Sequence, residues 1–185
     1  IGKVIGEGGF GITYLGYDLD LEIRVAIKEF CPRDFAGRES QDGLTILPFD
    51  EESEEFYDKE KEKFINEAKC LAKFRREQGI VSVQDYFQEN GTAYIVMEYI
   101  DGITLKSFHK MMGKNMEIEN LLNMMKPIME GLSKLHANGI IHRDISPDNI
   151  MIDTSKQLIY LIDFGTAREV NPNEEHSLSV YKKGC

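Results

Sequence analysis

The sequence predicts an α+β fold: a five-stranded antiparallel lobe with one helix inserted, then a mainly helical lobe. Three observations point to it. Residues 1–28 alternate strand-like runs with glycine, which reads as consecutive short strands. An apolar-faced helical stretch follows, and then two more strand runs joined at Glu89-Asn90-Gly91. Beyond residue 100 the apolar period becomes helical. The lobes divide as residues 1–100 and 101–185, with the boundary near Tyr99–Gly102.

The elements follow in order. IGKVIG and ITYLGYD flank the glycine-rich GGFG, and LEIRVAIK makes a third strand. Residues 29–50 carry prolines, glycines and turn formers and read as an insertion loop or hairpin, with LTILPF as a short extra strand. Residues 50–62 hold eight acidic side chains, which suit a solvated helical face and a helix N-terminus. That helix continues through KFINEAKCLAKFRR, where Phe64, Ala68, Leu71 and Phe74 share one face. IVSVQDYF and TAYIVMEYI are the fourth and fifth strands. A short helix near 104–112 precedes a longer one over 117–137, whose stripe includes Ile118, Leu121, Met125, Ile128, Leu132 and Leu135. Pro127 should kink or divide it. Strands at IMID and LIYLID close the pattern.

Composition narrows the function classes. A hydrophobic content of 42% with 10% aromatics fits a globular chain of 185 residues with a sizeable core. A net charge of −10 argues against nucleic acid or an anionic membrane as the main partner. Cys31, Cys70 and Cys185 lie far apart, which reads as reduced thiols in a cytoplasmic setting. No apolar run is long enough to span a membrane. The start at Ile1 and the end at Cys185, with no Ala-Pro-Glu after Asp163, suggest the edges of a fragment.

Four motifs carry chemistry. Gly6, Glu7, Gly8, Gly9, Phe10 and Gly11 form a GxGxxG between two strands, not between a strand and a helix. That placement disfavours a dinucleotide fold and suits a hairpin whose backbone N–H groups approach phosphate. By itself the motif is also a common turn. Val25-Ala26-Ile27-Lys28 ends an apolar strand on a cation, which either reaches solvent or holds phosphate beside an orienting carboxylate such as Glu67. Ile141 to Asn149, IHRDISPDN, sets Asp144 and Asn149 on one loop. Asp163-Phe164-Gly165 is a turn after a strand or a metal-binding loop. Phosphoryl transfer needs a base near the acceptor hydroxyl, oxygen ligands for Mg²⁺ and a cation on the phosphates. These residue types supply all three.

Taken together, GEGGFG, VAIK, an interior helix Glu, HRD with its downstream Asn, and DFG resemble a serine/threonine protein kinase of the eukaryotic-like bacterial type over essentially the whole chain. The resemblance implies ATP and Mg²⁺ as cofactors and a protein substrate with a Ser or Thr acceptor. It places Gly6 to Gly11 over the phosphates and Lys28 on the α- and β-phosphates, paired with Glu67. It places Thr13, Ala26 and Met151 around the adenine, with Met97 as gatekeeper and Glu98 and Ile100 as backbone partners of the base. Asp144 would be the catalytic base, and Asn149 and Asp163 the Mg²⁺ ligands. His142, Phe164 and Leu71 would stack in an internal spine, and Arg143 would meet a phosphate on the activation segment, where Ser177, Ser179 and Tyr181 are the acceptors.

Two departures stand out. Thr13 replaces the usual Val above the adenine, and its methyl still packs. Ser146 replaces a Lys that touches the γ-phosphate, so Mg²⁺ and Lys28 would carry that charge. The alternatives are a nucleotide-binding pseudokinase or scaffold and a small-molecule phosphotransferase. An end inside the activation segment would leave the apolar stripe of helix 117–137 partly uncovered, a surface for self-association.

Overall fold

The computed structural model describes residues 2–38, 43–113 and 117–164, with the backbone of Arg168–Glu169. Strands β1 (Val4–Gly8), β2 (Gly11–Asp18) and β3 (Ile23–Phe30) come first. A small hairpin, β4 (Ala36–Arg38) and β5 (Ile46–Pro48), leads to helix α1 (Glu51–Leu71). Strands β6 (Val83–Glu89) and β7 (Thr92–Glu98) complete an antiparallel sheet in the order β1-β2-β3-β7-β6. The expected five strands and single inserted helix are therefore present.

The acidic run proved to be the first half of α1 itself. Asp50 caps it, its carboxylate accepting the Ser53 N–H at 2.8 Å, and Glu51, Glu52 and Glu54 fill the first turn where the helix dipole favours negative charge. Phe64, Ala68, Leu71 and Phe74 are all buried, as their spacing predicts. The ring of Phe30 on β3 lies 5.2 Å from Tyr57 and 5.4 Å from Phe64, so α1 packs on the same face of β3 that carries Lys28.

After the sheet come β8 (Gly102–Thr104), α2 (Leu105–Met112), α3 (Ile118–Ala137), β9 (Ile140–Ile141), β10 (Ile150–Asp153), β11 (Leu158–Leu161) and β12 (Arg168–Glu169). Strand β8 pairs with β10, and its Gly102 is needed there because a Cβ would collide with the Ile152 carbonyl. Pro127 does not divide α3, which runs unbroken past it. The backbone at Pro127 and Ile128 backs onto Gly79, whose φ of +79° suits glycine, and Ile128 and Leu135 are buried. Val81 donates to the Leu161 carbonyl at 3.0 Å and Leu161 to that of Gly79 at 2.8 Å. These bonds join the approach to β6 to the strand that leads into Asp163. The main core cluster accordingly runs from Phe30 and Phe64 through Ile80 and Leu161 to Ile128 and Leu135. Among the described residues, no helix is long and apolar enough to cross a membrane.

Candidate phosphoryl-transfer site

The glycine-rich segment forms the β1–β2 hairpin, with Gly6 opposite Thr13, Glu7 opposite Ile12 and Gly8 opposite Gly11. Gly9 and Phe10 make the turn, and the Phe10 side chain is exposed. The glycines have different reasons to be there. A Cβ on Gly11 would collide with the Glu29 carbonyl of β3, so the close approach of two strands requires it. A Cβ on Gly8 or Gly9 would meet nothing within 4 Å. No packing among the described residues explains those two, and the space beside them is what a phosphate group would need.

Strand register brings the expected nucleotide-binding residues together. Thr13 on β2 sits opposite Lys28 on β3, and Ala26 sits opposite Met97 on β7. Ala26 is buried and Met97 half-buried. At the end of β7, the Glu98 N–H already donates to the Ser82 carbonyl at 2.9 Å, so a backbone donor for a base would come from further along, where Ile100 is buried. Met151 lies half-buried on β10, between Thr104 of β8 and Tyr160 of β11.

Lys28 is buried, and its ammonium pairs directly with Asp163. It also stands 6.0 Å from the Phe64 ring centroid. The expected partner Glu67 is half-buried nearby and acts on Lys28 through space. Burial pulls the Lys28 pKa down, but Asp163 and Glu67 outweigh it and hold it above its ordinary value. Lys28 therefore stays charged. Burial pushes the Glu67 carboxyl up to about 7; Lys28 works against that shift and Asp163 adds to it. Beside Glu67, the partner expected from sequence, which acts on Lys28 through space, Asp163 makes the direct ion pair. One cation stands between two carboxylates, and the one on the DFG segment holds it.

The catalytic-loop residues are tied to each other. Asn149 Nδ2 donates to the Asp144 carboxylate at 2.8 Å and to the Asp144 carbonyl at 3.0 Å. The Ile162 N–H donates to the Asn149 carbonyl at 2.8 Å, which sets Asn149 beside the segment bearing Asp163. Asp144 is exposed and Asn149 half-buried. Arg143 (φ +68°) and Asp163 (φ +59°) both adopt the left-handed region that side chains other than glycine rarely enter. Backbone strain of this kind collects at functional sites.

His142 anchors the loop from below. It is buried, its ring lies 4.4 Å from that of Phe164 in an edge arrangement, and Leu71 belongs to the same core cluster as Phe164. The Asp144 N–H donates to His142 Nδ1 at 3.2 Å, which leaves the proton of the neutral ring on Nε2. Burial lowers the His142 pKa, so the ring stays neutral near pH 7. Ser146 is half-buried, and the cation near its loop is Lys106 of α2, paired with Asp148 at 2.9 Å. Neither that pair nor the Lys28–Asp163 pair follows from any sequence motif. Ser177, Ser179, Tyr181 and Gly165 lie outside the described residues.

Comparison with known proteins agrees with this geometry. The family model for the protein kinase domain matches residues 1–184. Serine/threonine-protein kinase PrkC of Bacillus subtilis is 34% identical over 174 residues, covering 89% of this chain and 22% of that protein. Mitogen-activated protein kinase kinase kinase 15 of Mus musculus is 33% identical over 175 residues, covering 93% of this chain and 11% of that protein. The solved structure described as PpkA-294 apo form superposes with a TM-score of 0.79 at 38% identity, covering 88% of this chain and 57% of that one. The chain spans 11% to 24% of the length of the curated relatives it matches. With its kinase-like fold and a matching family model over nearly every residue, the chain belongs to the protein kinase family.

Proposed function

We propose that this cleft binds ATP with Mg²⁺ and transfers the γ-phosphoryl group to a Ser or Thr hydroxyl of a protein. The observation that carries the reading is the convergence of a buried, charged Lys28 with Asp163, Asp144 and Asn149 beneath a hairpin whose Gly8 and Gly9 face open space. An Asp carboxylate with an Asn amide oxygen is the kind of donor set Mg²⁺ accepts alongside phosphate and water. When bound, Mg²⁺ would neutralise charge on the phosphates.

Each residue then has a task. Lys28 orients the phosphates from the sheet side. Asp163, through its carboxylate, and Asn149, through its amide oxygen, would hold the Mg²⁺. Asp144, exposed at the cleft edge and oriented by Asn149, takes the proton of the acceptor hydroxyl as the phosphoryl group moves. Ala26, Thr13, Met97 and Met151 enclose the base. On this reading the boundary near Tyr99–Gly102 separates the two lobes that flank the nucleotide. Curated relatives such as PrkC and Nek5 carry protein-kinase names, which favours a protein acceptor over a small molecule.

The test is transfer of labelled phosphate from Mg·ATP to a protein acceptor, run beside small hydroxylated acceptors. Label on protein Ser or Thr that disappears in Asp144→Asn supports the reading. Label on the small acceptors alone moves the chain to small-molecule phosphotransfer. ATP binding with no transfer to either moves it to a nucleotide-binding scaffold.

A further inference from the structure

The hairpin between β3 and α1 has no part in the chemistry above, yet it closes over the residue next to Lys28. Glu29 follows Lys28 on β3 and points to the opposite face of the sheet, where its residue exposure is 1%. Its carboxylate takes hydrogen bonds from three side chains. Tyr14 of β2 and Tyr94 of β7 each donate a hydroxyl at 2.8 Å, and Arg38 of β4 donates Nη2 in an ion pair. Arg38 also donates to the Tyr14 hydroxyl and to the Leu44 carbonyl, both at 2.8 Å. The hairpin thus delivers the cation that compensates a buried carboxylate on the strand of the phosphate-binding Lys.

Its other contacts reach α1. The Ile46 N–H of β5 donates to the Asn90 carbonyl at 2.9 Å, and the Tyr57 hydroxyl of α1 donates to the neighbouring Gly91 carbonyl at 3.0 Å. Phe35, before β4, packs edge-on against Phe56 of α1 with centroids 4.7 Å apart. The hairpin therefore touches both elements that bear on the site, β3 with Lys28 and α1 with Glu67.

We propose that Arg38 and Glu29 form a positioning pair through which the β4–β5 hairpin clamps β3 against α1 and sets where Lys28 stands for phosphoryl transfer. This rests on the kinase reading above. Removing one partner of a buried ion pair leaves an uncompensated charge, which the structure relieves by moving the strand that carries it. Lys28 moves with that strand. A displacement on the scale of an ångström is enough to reduce a positioned reaction severely.

The variants are Arg38→Met, Arg38→Lys and Glu29→Gln in the 185-residue chain, each shown to be folded by circular dichroism, with Lys28→Met as the inactive reference. Arg38→Met should lower kcat for transfer roughly ten- to a hundredfold with a smaller change in KM for ATP, and Arg38→Lys should restore most of it. A folded Arg38→Met with wild-type kcat overturns the proposal. So does a loss of activity in step with stability that Arg38→Lys does not rescue. If Arg38→Met does not fold, Glu29→Gln decides, because it keeps the shape without the charge; an unchanged kcat there overturns the proposal. Amide hydrogen exchange separates this idea from the kinase reading. Weakening the pair should speed exchange at residues 27–30 of β3 and 64–68 of α1, whether or not the wild-type chain transfers phosphate. Faster exchange confined to the hairpin would overturn the clamp even in an active enzyme, and absence of transfer by the wild type would count against the kinase reading alone.

Discussion

At the residue scale, the site turns on one cation shared by two carboxylates. Lys28 is bonded to Asp163, while Glu67 feels it through space and is held up to about 7 by burial. A carboxyl raised above its ordinary 4.5 favours the folded state when protonated. Its contribution is therefore greatest below 4.5 and is lost as pH rises from there to about 7. The thermal midpoint of the ATP-free wild type relative to Glu67→Gln should accordingly fall across that interval, and parallel profiles would contradict the burial of Glu67. Asp144 lends itself to a different test, because it is exposed and, among the described residues, its carboxylate is held by Asn149 of its own loop. Asp144→Asn should lower transfer by about 10²- to 10⁴-fold, the usual contribution of a general base. ATP binding and the thermal midpoint should hardly change. A variant that loses ATP binding as well would place Asp144 in nucleotide binding instead.

At the element scale, the β1–β2 hairpin separates packing from ligand binding within one motif. Gly11 is pressed against the β3 backbone at Glu29, whereas a Cβ on Gly8 or Gly9 would meet none of the described residues within 4 Å. Gly11→Ala should force β2 and β3 apart and destabilise the fold by about 1–3 kcal/mol, measured by denaturant unfolding. Gly9→Ala should leave stability within about 0.5 kcal/mol, as expected for an open surface site. It should nevertheless weaken ATP binding by crowding the phosphates. Equal stability losses in the two variants would show that both glycines serve packing alone. Helix α1 teaches a related lesson about reading elements from sequence. Its acidic first half has no apolar period before Tyr57 and Phe64, so only the cap at Asp50 and the dipole mark it as helix.

At the scale of the whole molecule, what the sequence revealed was local. GEGGFG, VAIK, HRDISPDN and DFG are short strings whose residues act within a few positions of one another, so their spacing survives in any fold that keeps the loops. The five strands and α1 were legible for the same reason, through period and turn residues. What stayed hidden depends on residues far apart in the chain. Arg38 reaches Glu29 from a hairpin with no periodic signal, and Tyr14 and Tyr94 join it from two further strands. Asp163 reaches Lys28 from a segment 135 residues along the chain, and Pro127 lies inside one helix whose backbone there backs onto Gly79. The central claim is that these distant pieces make one Mg·ATP site. The most direct test is calorimetric titration of ATP into the folded chain with and without Mg²⁺, repeated on Asp163→Ala. The account predicts binding that strengthens with Mg²⁺ and loses that dependence in the variant. A folded wild-type chain that does not bind ATP under either condition would contradict it.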